Sequence, residues 1–361
     1  MVIKDEEIDL EFSKKLAKEI GESFQQCFQC GTCSACCPAG HVTQYRVRKL
    51  MRMAQLGLKD QILNSDEIWN CTTCSLCTKL CPWEVDQLST ILKLRNEAIH
   101  AGHEQDKHRK ITDAVKTTGN AYGEKEPMAS KVNPKAKYIY FPGCTANYRQ
   151  QDVFDATTKI LDLAGVEYEI PEGLLCCGSV LMRTGHEEDF QEIMAKNTEM
   201  LKGKPIITSC AGCYATLKES YDGLEVYHIT DIIHENLDKL PLKEVKKKVM
   251  YHDPCHLGRK FDYYDIPREI IEAIPGVELI AFDQEKENAQ CCGGGGGVKS
   301  AKPDIANKLA AERMEEAKGK SADVVISSCP FCELNLGDNA GDIPVLDILN
   351  LLMESLGEAA Q

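Results

Sequence analysis

The chain has 361 residues, of which 43% are hydrophobic and 27% charged, a composition typical of a soluble globular protein with room for two or three domains. Its formal net charge of −14 argues against nucleic acid or an anionic membrane surface as a partner. There is no apolar run of membrane-spanning length, and the charged N-terminus lacks the apolar core of a signal peptide. The sequence therefore predicts a cytoplasmic protein that does not insert into a membrane by itself.

The unusual number is nineteen cysteines. A disulfide framework suits small secreted domains, whereas this chain is large and has no export signal. Many of the cysteines are adjacent or two residues apart, a pattern that favours metal ligation over structural bridges.

The chain begins with a predicted amphipathic helix over residues 1–26. The apolar side chains expected on one side of it are Ile8, Leu10, Phe12, Leu16 and Ile20.

Residues 27–38 and 71–82 each have the pattern C-x2-C-x2-C-x3-C-P, which is the signature of two-cluster ferredoxins. In that signature the first three cysteines of one run and the last cysteine of the other hold one cubane [4Fe–4S] cluster. Zinc is the alternative, but it usually takes its four ligands as two pairs. The predicted ligands are Cys27, Cys30, Cys33 and Cys81 for the first cubane, and Cys71, Cys74, Cys77 and Cys37 for the second. Cys36 is left over and is predicted to be a small buried side chain.

The spacing of apolar residues predicts helices over 44–63 and 86–101. The ferredoxin domain, residues 1–101, should therefore be mainly α-helical. Residues 102–136 are polar and predict a linker with a short helix over 107–117.

From residue 137 the pattern changes to alternating strands and helices, which favours a parallel sheet of the Rossmann-like kind. The predicted strands of a first unit, 137–240, are 138–141, 167–170, 205–208 and 226–228. Those of a second unit, 241–361, are 248–252, 277–281, 323–327 and 344–346.

Each unit contains five cysteines in the same order: one alone, two adjacent and followed by glycine, and two spaced by two residues. This internal repeat indicates two copies of one structural unit. The first set is Cys144, Cys176, Cys177, Cys210 and Cys213, and the second is Cys255, Cys291, Cys292, Cys329 and Cys332. Since the cysteines follow successive strands, we expect each set to converge at the carboxyl edge of its sheet.

These CCG motifs resemble the cysteine-rich domains of the heterodisulfide reductase family, and the two ferredoxin runs resemble the separate ferredoxin-like chain of the same enzymes. A chain with both in this order resembles the fused form that some members of the family use. The segments His252-Asp-Pro-Cys-His-Leu-Gly-Arg259 and Cys291-Cys-Gly-Gly-Gly-Gly-Gly297 strengthen the resemblance. It implies that each five-cysteine set holds a non-cubane [4Fe–4S] cluster, giving four clusters in all, and that the clusters of the two sets face each other across the substrate cleft.

The resemblance also implies a function: reduction of the CoM-S-S-CoB disulfide of methanogens, with electrons passing from the ferredoxin domain to the clusters of the ten CCG cysteines. The sequence has no flavin, nicotinamide or haem motif. The electrons must therefore come from a partner, either a membrane cytochrome b, a flavin subunit or a soluble dehydrogenase. The first of these would associate the chain with a membrane indirectly.

The family's substrate carries a sulfonate, a carboxylate and a phosphate, and basic side chains recur after the CCG cysteines. Arginine binds oxyanions with two parallel hydrogen bonds. The predicted substrate-binding residues are Arg149, Arg183, Arg259, Lys260 and Lys299.

Three alternatives stay open at the level of sequence. The chain also resembles the electron-transfer subunits of glycolate and lactate oxidoreductases and the iron–sulfur subunit of thiol:fumarate reductase. It could reduce a different disulfide or a trisulfide. A structural zinc protein is the third class, which analysis of iron and acid-labile sulfide would test.

Overall fold

The N-terminal part of the chain is built from short helices, as the computed structural model shows. The structure describes residues 5–357, apart from the side chains of Glu6 and Glu22. Within that range no helix combines the length and the apolar character needed to span a membrane. The helices up to residue 118 are α1 Leu10–Ile20, α2 Thr32–Ala35, α3 Pro38–Val42, α4 Val47–Gln55, α5 Lys59–Leu63, α6 Leu76–Lys79, α7 Gln87–His100 and α8 Asp106–Thr118. Single 3₁₀ turns occur at Asp5–Glu7, Glu22–Phe24 and Asp66–Asn70.

The first predicted helix is shorter than expected. It runs only from Leu10 to Ile20, begins at the N-cap Asp9, whose side chain accepts from the Phe12 amide, and buries Phe12 and Leu16. Leu10 is 59% exposed, so it does not belong to the buried side as predicted. Residues 1–4 of the prediction lie outside the described residues.

The single helix predicted over 44–63 is two helices, α4 and α5, because the chain turns at Gly57. Gly57 has φ +71°, and a Cβ there would overlap the backbone of Asp9. Its carbonyl accepts from the Asp9 amide at 2.8 Å. The turn therefore fastens α1 to α4, and both bury apolar side chains in one core with Trp69.

Two four-stranded parallel sheets follow, one in each repeat. The first has β1 Tyr138–Phe141, β2 Tyr168–Glu169, β3 Ile206–Thr208 and β4 Val226–His228 in the order β2-β1-β3-β4. The second has β5 Lys247–His252, β6 Val277–Ile280, β7 Val324–Ser327 and β8 Val345–Asp347 in the order β6-β5-β7-β8. Every pairing is parallel. The eight predicted strands are present to within one residue at each end, and the two sheets have the same topology.

Helices connect the strands in both repeats. Those of the first are α9 Gly143–Tyr148, α10 Gln151–Leu163, α11 Ser179–Thr184, α12 Glu187–Leu201, α13 Ala211–Ser220 and α14 Ile229–Glu235. Those of the second are α15 Gly258–Phe261, α16 Asp265–Glu272, α17 Val298–Ala301, α18 Pro303–Gly319, α19 Pro330–Gly337 and α20 Ile348–Leu356. Further 3₁₀ turns lie at Leu237–Lys239 and Lys286–Asn288.

The chain forms two compact units that do not follow the order of the sequence. The first, called the ferredoxin unit below, comprises residues 1–110 together with 180–187 and 293–309. The second, called the CCG unit, comprises 111–179, 188–292 and 310–361. Residues 180–187, which follow the pair Cys176-Cys177, and residues 293–309, which follow the pair Cys291-Cys292, thus belong to the ferredoxin unit. All ten CCG cysteines belong to the CCG unit.

Candidate iron–sulfur sites

One cavity of the ferredoxin unit is lined by Cys27, Cys30, Cys33 and Cys81. These are the four cysteines predicted for the first cubane, three from the first run and one from the second. All nineteen cysteines lie within the described residues, and Cys30 is the exposed one among them. Burial and the neighbouring Cys27 raise the pKa of Cys33 to about 11, whereas a hydrogen bond with Thr32 lowers the pKa of Cys30.

A second cavity of the same unit is lined by Cys37, Cys71, Cys74 and Cys77, the set predicted for the second cubane. The two cavities have similar sizes, about 320 and 360 Å³ including the space at their mouths. Burial and the other thiols raise the pKa of Cys37 and of Cys77 well above the ordinary value for cysteine. This second set lies deeper than the first.

The first five-cysteine set of the CCG unit converges beyond the carboxyl ends of β1, β2 and β3. The sulfur atoms of Cys144 and Cys176 are 4.0 Å apart. Cys177 contacts both Cys176 and Cys213, and these hydrogen bonds lower the pKa of Cys177 to about 6. Four cysteines from three separate parts of the sequence therefore meet at one edge of the sheet.

In the second set, four of the five cysteines meet beyond β6 and β7 in the same way: Cys291, Cys292, Cys329 and Cys332. Cys292 makes hydrogen bonds with Cys291 and Cys332, which lower its pKa well below the ordinary value. His252, the last residue of β5, also bonds Cys292, and ligand atoms of His252, Cys292 and Cys332 lie within 4.8 Å of one another. In the first copy the last residue of the corresponding strand is Phe141, which cannot make this contact.

The two sets touch each other inside the CCG unit. Cys210 and Cys329 are the first cysteines of the two Cys-x-x-Cys motifs, and their side chains form a hydrogen bond. Hydrogen bonds with Cys213 and Cys329 lower the pKa of Cys210, whereas the bond with Cys210 raises the pKa of Cys329 to about 12. Each is buried and is the N-cap of its helix, α13 or α19. The sites that the two sets can form are therefore neighbours.

The donor sets fit iron–sulfur clusters. All nineteen cysteines are free thiols. Most of those in the four sets are buried close to other thiols, so deprotonating them without a cation would place several negative charges together. A metal cluster removes this cost because it binds the thiolates directly.

A buried arginine joins three segments of the ferredoxin unit. Arg95 on α7 is fully buried and stacks at 5.5 Å on the Trp69 ring. Its guanidinium donates to four backbone carbonyls, those of Ile68 at 3.0 Å, Cys71 at 2.8 Å, Arg183 at 2.6 Å and Gly296 at 2.9 Å. Through Arg95, the segments that follow both CCG pairs are fixed to the backbone of Cys71, one of the cysteines predicted for the second cubane.

The five-glycine run packs on that same backbone. Gly296 has φ +63°, and a Cβ there would overlap the Cys71 carbonyl oxygen and approach Thr73. At Gly297 it would overlap the ring of His108, which bonds the Gly297 carbonyl at 3.1 Å. The absence of side chains in this run therefore lets its backbone lie against that of Cys71 to Thr73.

The predicted substrate-binding residues are divided between the units, with Arg149, Arg259 and Lys260 in the CCG unit and Arg183 and Lys299 in the ferredoxin unit. Arg149 pairs with Glu124 at 2.7 Å, and Lys260 pairs with Glu219. Arg259 is buried and donates to the Ala289 carbonyl at 2.5 Å. Arg183 is buried as well.

Sequence reasoning missed the role of Arg95 and the contact between Cys210 and Cys329. Arg95 lies in a helix without any motif. The contact between Cys210 and Cys329 depends on how the two structural repeats pack against each other, and the repeated sequence pattern does not reveal that packing. A polar residue on the apolar side of α7 is the available signal for Arg95.

Two family models match the chain. The cysteine-rich domain (CCG) matches residues 138–218 and 249–337, and the 4Fe-4S dicluster domain matches residues 23–85. Together they include all nineteen cysteines.

Curated relatives match over nearly the whole chain. A subunit of fumarate reductase (CoM/CoB) from Methanothermobacter marburgensis is 35% identical over 350 residues, covering 90% of this chain and 71% of that protein. A subunit of dihydromethanophenazine:CoB–CoM heterodisulfide reductase from Methanosarcina acetivorans is 34% identical over 382 residues, covering 92% of this chain and 93% of that protein. A crystal structure of a hypothetical protein from Helicobacter pylori has a similar fold, with a TM-score of 0.61 and 13% identity over 96% of this chain and 73% of its own.

Proposed function

Because the chain belongs to the heterodisulfide reductase family, whose members are iron–sulfur subunits of oxidoreductases, we propose that it is the catalytic iron–sulfur subunit of a disulfide reductase. The proposed substrate is CoM-S-S-CoB. One disulfide takes up two electrons and two protons, its S–S bond breaks, and two thiols form.

The proposed ligands are the four sets of the sequence: two cubane clusters in the ferredoxin unit and two non-cubane clusters in the CCG unit. [4Fe–4S] clusters transfer single electrons, so a chain with two at the reaction site could supply the pair that a disulfide needs. The cavities lined by Cys27, Cys30, Cys33 and Cys81, and by Cys37, Cys71, Cys74 and Cys77, support the exchange of the fourth ligand between the runs.

The hydrogen bond between Cys210 and Cys329 is the observation that carries the proposal. A protein that only conducts electrons has no need for two complete five-cysteine sets side by side. A disulfide presents two sulfur atoms about 2 Å apart. Two adjacent metal sites are suited to receive one sulfur each.

We also propose that basic residues bind the anionic ends of the substrate, and Arg149, Arg183, Arg259, Lys260 and Lys299 remain the candidates. Arg149 and Lys260 are already paired with carboxylates, so a substrate anion would have to replace Glu124 or Glu219. Arg259 supports the loop that leads to Cys291 through its bond to Ala289. Its replacement is therefore expected to disturb the second set as well as substrate affinity.

The proposed architecture is a helical ferredoxin domain over 1–101, a linker over 102–136 and two Rossmann-like repeats over 137–240 and 241–361. It is supported by the helices up to residue 118 and by the two identical sheet topologies. A redox partner must supply the electrons, and a membrane cytochrome b, a flavin subunit and a soluble dehydrogenase are the candidate classes. The relatives are named as subunits, which supports a partner.

A second candidate is the thiol-oxidising subunit of a fumarate reductase, favoured by the 35% identity to the Methanothermobacter protein. The same site would then work in reverse, with two thiols losing two electrons and two protons to form the disulfide. A partner carrying the fumarate site would receive the electrons.

The anaerobically purified chain should contain four clusters, about sixteen irons and sixteen acid-labile sulfides per chain. A content of about eight irons would mean that the five-cysteine sets hold no cluster. The function is then tested by turnover: with reduced viologen as donor, the chain should convert CoM-S-S-CoB to two thiols. The second candidate predicts net thiol oxidation coupled to fumarate in the presence of a flavin partner.

A further inference from the structure

An exposed surface of the ferredoxin unit combines aromatic rings with arginines. Phe28 and Trp83 are 57% and 55% exposed, and their ring centroids lie 5.3 Å apart in an edge-to-face contact. Phe28 lies between Cys27 and Cys30, and Trp83 lies two residues after Cys81. Two large aromatic side chains are therefore left in solvent at the rim of the first cubane cavity, which they line.

A basic groove adjoins this pair. Its lining, which falls wholly within the described residues, has polar, apolar and basic side chains but no carboxylate, and the basic members are Arg46, Arg48, Lys49 and Arg52. Arg48 also lines the cubane cavity, so groove and cavity are continuous. We call this surface, from Phe28 and Trp83 to Arg52, the aromatic–basic face.

The charges of the face are available to a partner to different degrees. Lys49 is paired with Glu67 at 2.6 Å, and Arg46 donates to the carbonyls of Gly40, Thr43 and Tyr45. Arg48 and Arg52 are exposed, and no carboxylate among the side chains that the structure describes forms an ion pair with either of them. In a chain whose net charge is −14, this is a local positive region.

We propose that the aromatic–basic face is the docking site for an acidic redox protein that delivers electrons to the Cys27–Cys30–Cys33–Cys81 site, an inference that rests on the proposed function. Cys30 is the exposed cysteine of that site, and it lines the same cavity as Phe28, Trp83 and Arg48. Aromatic and arginine side chains carry most of the affinity at protein interfaces, and complementary charge speeds the encounter of transient partners.

An anionic membrane surface is the competing occupant. The overall negative charge opposes it, and a lipid surface gives no reason for an exposed cysteine of the proposed cluster site beside the aromatic and basic side chains. An electron carrier accounts for both the cysteine and the local charge. The experiment below separates the two.

The test uses the full cluster-containing chain and its Arg48→Glu/Arg52→Glu variant. Chain reduction by a purified, reduced acidic [4Fe–4S] ferredoxin is followed by stopped-flow bleaching of the chain's absorption. At low ionic strength the variant should be reduced at least about tenfold more slowly than the wild type, and its rate should lose most of its dependence on salt. The cationic viologen radical needs no acidic docking surface and should reduce the variant no more slowly than the wild type.

The matched control is Lys107→Glu/Lys110→Glu, which changes the net charge equally at two exposed positions of α8. It should behave as the wild type with ferredoxin. Equal slowing in both variants would overturn the proposal, because the effect would then come from net charge alone. An unchanged rate of reduction by ferredoxin in the Arg48→Glu/Arg52→Glu variant would also overturn it. If that variant in addition lost binding to phosphatidylglycerol vesicles, the face would be a membrane contact. Viologen-driven disulfide reduction, measured separately, tests the proposed function whichever way the ferredoxin experiment turns out.

Discussion

Replacing Arg95 with alanine should lower the free energy of unfolding of the ferredoxin unit by about 3–5 kcal/mol. The substitution removes a fully buried charged donor and its four hydrogen bonds, three of them buried and one partly buried, and leaves the four carbonyls without it. It also removes the cation from the Trp69 ring. Hydrogen exchange, followed by mass spectrometry on peptides covering 68–73, 180–187 and 293–299, should show faster exchange in all three segments.

Arg46→Ala is the matched control. Arg46 also donates to three backbone carbonyls, but it is exposed, so water can replace it at those oxygens. We expect a loss of no more than about 1 kcal/mol. If the two substitutions cost the same, burial of the four carbonyls would not explain the role of Arg95.

Cys329→Ser should reduce disulfide turnover at least about 100-fold, because hydroxyl is a poor ligand for iron and Cys329 is the contact between the two five-cysteine sets. The cysteines proposed for the two cubanes belong to the other compact unit and line cavities that contain none of the CCG cysteines. Electron paramagnetic resonance of the reduced variant should therefore retain the ferredoxin-type signals and lose the signal of the second CCG set.

Cys36→Ser serves as the control for cysteine loss. Cys36 is half-buried rather than buried as predicted, and it lies between cysteines that are proposed as cluster ligands. It belongs to none of the four sets, so turnover and iron content should stay near the wild-type values. Loss of every cluster signal in Cys329→Ser would contradict the independence of the two units. Full turnover in that variant would contradict a catalytic role for the second set.

The strands were predictable because a buried parallel strand has an apolar run bounded by turns, as in Tyr138–Phe141 and Val324–Ser327. The convergence of Cys177 with Cys213, and of Cys292 with Cys332, followed from strand order alone. The turn at Gly57 was not predictable, because its cause is the backbone of Asp9, which is distant in sequence. The asymmetry between His252 and Phe141 is visible in the sequence, but only the structure reveals that His252 meets Cys292.

The interleaving of the two units has a consequence for the order in which the protein is made. Residues 1–110 leave the ribosome first, yet Arg95 has two of its four acceptors at Arg183 and Gly296, and His108 has its acceptor at Gly297. At roughly 5–20 residues per second, the later of these acceptors follow Arg95 by about ten to forty seconds. During that interval the guanidinium of Arg95 lacks two of its four carbonyl acceptors. The N-terminal third of the chain therefore reaches its final packing only after much of the C-terminal repeat has been synthesised. A ribosome-bound fragment that ends before residue 293 should expose the backbone of Cys71 to Thr73, which the glycine run covers in the complete chain.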